Sequence, residues 1–217
     1  MKLNELFEIL DGHGLDTIDE QFIMDDTNYL LLTEYINNIK NNDYPNNLTK
    51  GNYLEDFLTF IIKNLGVFDF NVNVRSNTNE IDLRAEPRGY YTSILTDYYK
   101  IRNSEVIYFE CKNYNKRIDV TWVGKFFSLL NTSQRKLGIF ISPHGLTGSD
   151  WKDGNGLTRK IALKNEIYIL SITLEELLEL KDKSLLMIIR EKLMLLEEDI
   201  KIEFSKHDLE DDYEFIS

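Results

Sequence analysis

The chain has 217 residues, 42% hydrophobic and 29% charged, with a formal net charge of -12. That length carries one substantial core, and three prolines, eleven glycines and no repeat period exclude a fibrous, linker or solenoid protein. One cysteine, Cys111, and three scattered histidines exclude an internal disulfide and a Cys/His zinc site, so any metal must be held mainly by oxygen. No apolar run approaches the roughly 18–20 residues that cross a bilayer. The first ten residues also lack the basic flank and cleavage site of a secretory signal. No membrane association and a cytoplasmic location are expected.

In chain order, Leu3, Leu6, Phe7 and Leu10 fall at helical spacing, and a second periodic stretch runs from about Phe22 to Ile39. The Asn-rich segment 37–47, with Pro45, predicts a boundary. Residues 1–49 are therefore expected as a helical N-terminal extension, 50–173 as the core, and 174–217 as a C-terminal helical segment with an acidic tail. From Asn52, the positions Leu54, Phe57, Leu58, Ile61, Ile62 and Leu65 make a helical stripe that stops at Gly66, a suitable C-cap. The period then changes to two. Val67–Val74 and Glu80–Arg84 predict a hairpin of two strands. A tyrosine-rich insertion, Pro87–Asn103, precedes a third strand over Glu105–Lys112.

Asp119 or Thr121 can cap a helix carrying Trp122, Val123, Phe126, Phe127 and Leu130, and Leu137–Ser142 has the composition of a buried strand. A short helix over 157–164, a strand over Glu166–Ile172, and a helix from Leu174 to about Glu198, broken near Lys183 and Ser184, complete the chain. The predicted class is α/β, a mixed central sheet flanked by helices.

Charge is distributed unevenly. Residues 1–49 carry two basic and ten acidic groups, 50–109 seven and eight, 110–164 ten and four, and 165–217 six and fifteen. The basic middle suits phosphates, and the acidic ends suit either a solvated surface or a protein partner. Within that middle, Lys116, Arg117 and Lys125 are candidates to hold a nucleic-acid backbone, as are Arg135, Lys136, Arg159 and Lys160. Tyr90, Tyr91, Tyr98 and Tyr99 suit either base stacking or the core. His144 lies in the loop after the Leu137–Ser142 strand, as a substrate contact or an ordinary loop residue.

Strand alternation gives the candidate chemistry. Tyr108, Glu110 and Lys112 share one face of the third strand, while Ile107, Phe109 and Cys111 share the other and belong in the core. Asp82, between Ile81 and Leu83, points away from its apolar neighbours in the adjacent strand. Two carboxylates can thus converge, and with a carbonyl and waters they make a minimal magnesium site. Glu55, beside the apolar stripe of its helix, is either a third carboxylate or a solvated residue. Glu110 and Lys112 could alternatively be an ion pair on an exposed sheet.

Glu55 in a helix, Asp82 in EIDL, and Glu110 with Lys112 in YFECK, in that order, resemble the PD-(D/E)XK nuclease signature, most closely the Mrr-like restriction endonuclease group. The resemblance implies a restriction-endonuclease-like αβββαβ core and hydrolysis of DNA phosphodiester bonds with Mg2+, for which Mn2+ can substitute, in restriction, defence or DNA processing. It implies Asp82, Glu110 and the Cys111 backbone carbonyl as metal ligands. Lys112 would be the group that orients water and stabilises charge, and Glu55 an accessory ligand. DNA is the expected partner, with a homodimer as a further possibility. The rival readings are a catalytically inactive module of the same fold that binds a protein through its acidic ends, and a nuclease that cleaves RNA.

Overall fold

Five strands, β1 (Phe68–Arg75), β2 (Glu80–Pro87), β3 (Ile107–Cys111), β4 (Leu137–Ser142) and β5 (Tyr168–Thr173), lie side by side in sequence order. The computed structural model describes residues 14–41, 44–75, 80–148 and 152–214, with side chains as far as residue 201 apart from that of residue 75. The helix expected within the first ten residues lies outside these. β1 pairs antiparallel with β2, and β2 with β3, as a hairpin pattern predicts, whereas β3, β4 and β5 run parallel. Parallel neighbours require crossovers. These are the helices α4 (Val120–Thr132) and α5 (Gly154–Asn165), packed on one face of the sheet.

The other face is covered by α2 (Asp26–Asn41), α3 (Asn47–Leu65) and α6 (Leu185–Glu214), with α1 (Leu15–Asp19) at its margin. β4 is buried along its whole length because both faces are covered. Gly138 within it is required by packing: an added Cβ would lie 2.6 Å from Leu130 Cδ1 and 2.7 Å from the Phe126 ring. No helix among the described residues is long and apolar enough to cross a membrane.

Local signals explain the element ends. In α3, the Asn46 side chain accepts from the Thr49 N–H at 2.9 Å, and Gly66 closes the helix at φ 72°. Its stripe of Leu54, Phe57, Leu58, Ile61 and Ile62 is buried, each such side chain contributing about 1.5–3 kcal/mol. α2 starts at Asp26 rather than near Phe22. Residues Glu20–Phe22 close a 3-10 turn, and the Asp25 carboxylate accepts from the Asn28 N–H at 3.0 Å, which begins the helix afresh.

The tyrosine-rich stretch forms a short helical turn, Tyr91–Ser93, that runs into a π turn, Ile94–Tyr98. Tyr99 then enters the core and donates to Asp19 Oδ1 at 2.6 Å. Asp19 also accepts from the Ser184 N–H at 2.8 Å and from the Ser184 hydroxyl. This buried carboxylate joins α1, the tyrosine segment and the start of α6, so Tyr99 is a core residue rather than a base-stacking one.

Candidate active site

Asp82 stands where the backbone ladder between β2 and β3 gives out. Pairing runs from Ala85–Ile107 to Leu83–Phe109. One residue further, the carboxylate replaces a backbone acceptor: the Cys111 N–H donates to Asp82 Oδ2 at 2.6 Å. On the other side of β2, the pairs Val72–Leu83 and Val74–Ile81 bracket Asn73, which is left-handed at φ 50°. Asparagine tolerates this conformation better than most residues. The Asn73 side chain hydrogen-bonds Glu55, so a local distortion of β1 holds the helix carboxylate toward the sheet.

α3 is tied to the end of β3 by three contacts. The Cys111 thiol faces Leu54 O at 3.8 Å, Asn113 Nδ2 donates to Lys50 O at 2.8 Å, and Lys50 Nζ donates to Asn115 Oδ1 at 2.6 Å. Cys111 is buried in the core and its thiol is pushed up by burial, which leaves its backbone rather than its sulfur for chemistry. Glu55, Asp82, Cys111, Lys112 and Lys116 all line one open cleft of about 750 Å³. Arg117 is exposed and does not line it. Glu110 does not line this cleft either; it lines a second hollow, of about 180 Å³, with Glu80, Trp122 and Lys125.

Lys112 is held from several sides. Its Nζ donates to Glu110 Oε1 at 2.5 Å and to Cys111 O at 3.2 Å, and it lies 4.8 Å from the centre of the Trp122 ring. Lys125 Nζ lies 4.4 Å from the centre of the same ring. Burial opposes the charge on Lys112, but Glu110 and Asp82 outweigh it and hold the ammonium above its ordinary value. Burial, reinforced by Asp82, pushes Glu110 up to about 7 against the pull of Lys112. Burial also raises Asp82, opposed by Lys112 and the Cys111 N–H, and raises Glu55, with Asp82 adding to the effect. Four carboxylates, with Glu80 the fourth, thus act on one another around the Lys112 ammonium.

A hard cation fits this arrangement. Glu110 Oε2 is buried without a hydrogen-bond partner among the described residues, while Oε1 is occupied by Lys112. Asp82 is likewise fixed through one oxygen, and the Cys111 carbonyl lies beside Lys112. Among the described residues no group of three or more His, Cys, Asp or Glu side chains is placed to hold a metal ion by itself. Two carboxylates, a carbonyl and water instead match a cation that keeps much of its hydration.

Sequence spacing does not point to Asn73, Glu80 or Trp122 as site residues. Asn73 had a weak signal, a polar residue poor in strand propensity inside FNVNVR. Trp122 reads from sequence as an apolar helix position, yet the buried positions of α4 are Val123, Phe126, Leu129 and Leu130. Away from the cleft, Lys136 donates to Asn165 O and Arg159 pairs with Asp199. A family model described as Restriction endonuclease, of the Mrr catalytic type, matches residues 48–168. No curated protein and no solved structure matches the chain.

Proposed function

Because the chain belongs to the restriction endonuclease family of Mrr type, within the PD-(D/E)XK superfamily, we propose that it is an Mg2+-dependent endonuclease that cuts DNA in restriction, defence or DNA processing. The family match supports a nuclease acting on DNA. The observation that carries the finer reading is the acidic cluster with an orphaned carboxylate oxygen on Glu110 beside a fixed Lys112. A phosphate diester is repelled by Glu55, Glu80, Asp82 and Glu110 unless a cation offsets them.

Asp82, Glu110 and the Cys111 carbonyl would hold that cation, and Glu55, aimed by Asn73, would support it. When bound, a divalent cation supplies Lewis acidity and favours deprotonation of water near neutral pH. Lys112 remains protonated and has three N–H groups. Two go to Glu110 and Cys111, and the third serves the attacking water or the charge that develops on the phosphate. Lys116 on the cleft wall and Lys125 beyond Trp122 hold flanking phosphates.

Purified protein should nick or linearise supercoiled plasmid with Mg2+ or Mn2+ and lose that activity with chelator, with Lys112→Ala and with Asp82→Ala. Cleavage that persists in both variants, or without any divalent cation, would overturn the assignment.

A further inference from the structure

Resting on the nuclease reading, we propose that the catalytic cleft continues into a chamber that seats one unpaired nucleobase beside the scissile phosphate. The substrate would then be DNA that is single-stranded or locally unpaired. A cavity of about 320 Å³ adjoins the cleft and shares Asn113, Tyr114 and Asn115 with it. These three residues directly follow Lys112, so a strand whose phosphate reaches Lys112 places its next nucleotide at this wall.

The chamber lies over the carboxyl ends of all three parallel strands. Tyr114 follows β3, Pro143 and His144 follow β4, and Leu174 follows β5. That crevice is where open α/β sheets bind ligands. Its volume is at the lower end for small-molecule pockets, large enough for a base and too small for a base pair with its backbone. Its lining offers a base the exposed His144 ring and the Tyr114 ring, which also packs on Trp122 at 5.7 Å, with Pro143 as apolar surface. It also offers the Asn113 and Asn115 amides, each bonded to Lys50 through one atom, and the Lys40–Glu175 ion pair on the remaining side. A base inside a duplex cannot reach such a recess without leaving the stack. On the side of the catalytic cleft, Lys50 of α3 fixes the shared wall by bonding both Asn113 and Asn115.

The test uses full-length Lys112→Ala protein with Mg2+ and three oligonucleotides, each bearing one 5-iodouracil: single-stranded, duplex with that base bulged, and fully paired. Ultraviolet crosslinks are mapped by mass spectrometry and affinities are measured by fluorescence anisotropy. The expected result is crosslinking at Tyr114 or His144 with the first two probes only. Their affinity should fall at least about fivefold when His144→Ala or Tyr114→Leu is added, the loss of one stacking contact, and His144→Ala should leave duplex affinity unchanged. His144 is exposed, so its variant tests the chamber without disturbing the core.

Crosslinks elsewhere, or equal affinities in the variants, would overturn the chamber while leaving metal-dependent cleavage by the unmodified protein intact. Chamber crosslinks from a protein that never cleaves would instead overturn the nuclease reading alone. Absence of binding to all three probes would overturn the chamber, while the nuclease reading stands or falls by metal-dependent cleavage of plasmid by the unmodified protein.

Discussion

Replacing Glu110 with Gln should make the metal-free protein more stable above neutral pH. The Glu110 side chain is 15% exposed, and its carboxyl is pushed up to about 7 from an ordinary 4.5 by burial and Asp82, with the Lys112 attraction already acting against them. A carboxyl raised on folding holds its proton more tightly in the native state. Stability therefore falls as pH rises from about 4.5 to about 7, and is flat beyond. At about 1.4 kcal/mol per pH unit, that gap corresponds to about 3 kcal/mol. Glu110→Gln keeps the shape and removes the ionisation, so wild type and variant should agree near pH 4.5 and differ by about 3 kcal/mol at pH 8.

Urea unfolding in chelator at four pH values between 4.5 and 8 measures this directly. Magnesium at a hundredfold excess over its dissociation constant should return about 2.7 kcal/mol to the wild type and much less to the variant. Parallel pH curves for the two proteins would refute the reasoning, as would a wild type that gains stability across this window relative to the variant.

Trp122→Leu should lower kcat about tenfold with little change in KM, because a partly buried cation–π contact is worth about 1–2 kcal/mol and the ring acts on Lys112 rather than on substrate; Trp122→Phe should recover part of the loss in the same steady-state assay. Asn73→Gly keeps the left-handed backbone but removes the amide that holds Glu55, so activity should fall while the melting temperature changes little. Asn73→Ala should in addition lose about 1 kcal/mol by chemical denaturation. Asp19→Ala leaves Tyr99 and Ser184 without their buried acceptor and should cost about 2–4 kcal/mol, again by urea titration. A cost below about 1 kcal/mol would mean that this network does not hold α1 and α6 to the core.

Local sequence determined the helix that carries Glu55 and the strand that carries Glu110 and Lys112. The first is written in an apolar stripe between a capping Asn46 and Gly66, the second in an alternation that sends Ile107, Phe109 and Cys111 into the core. Both are properties of neighbours along the chain, where helix and strand periods leave their mark. The order of Glu55, Asp82, Glu110 and Lys112 was legible for the same reason. It was also enough to identify the family, although spacing alone does not specify roles.

Tertiary structure decided what surrounds those residues. The left-handed Asn73 arises only once β1 is paired with β2, and only then does its amide meet Glu55. Trp122 serves two lysines because α4 packs across the end of β3, not because of its place in the helical stripe. The Asp19 network joins residues 80 and 165 positions apart. The chamber beside the cleft is assembled from the ends of three strands and the last turn of α2, all far apart in sequence. Such contacts depend on register, twist and crossover, which the chain settles globally through burial of a shared core, so no local pattern records them.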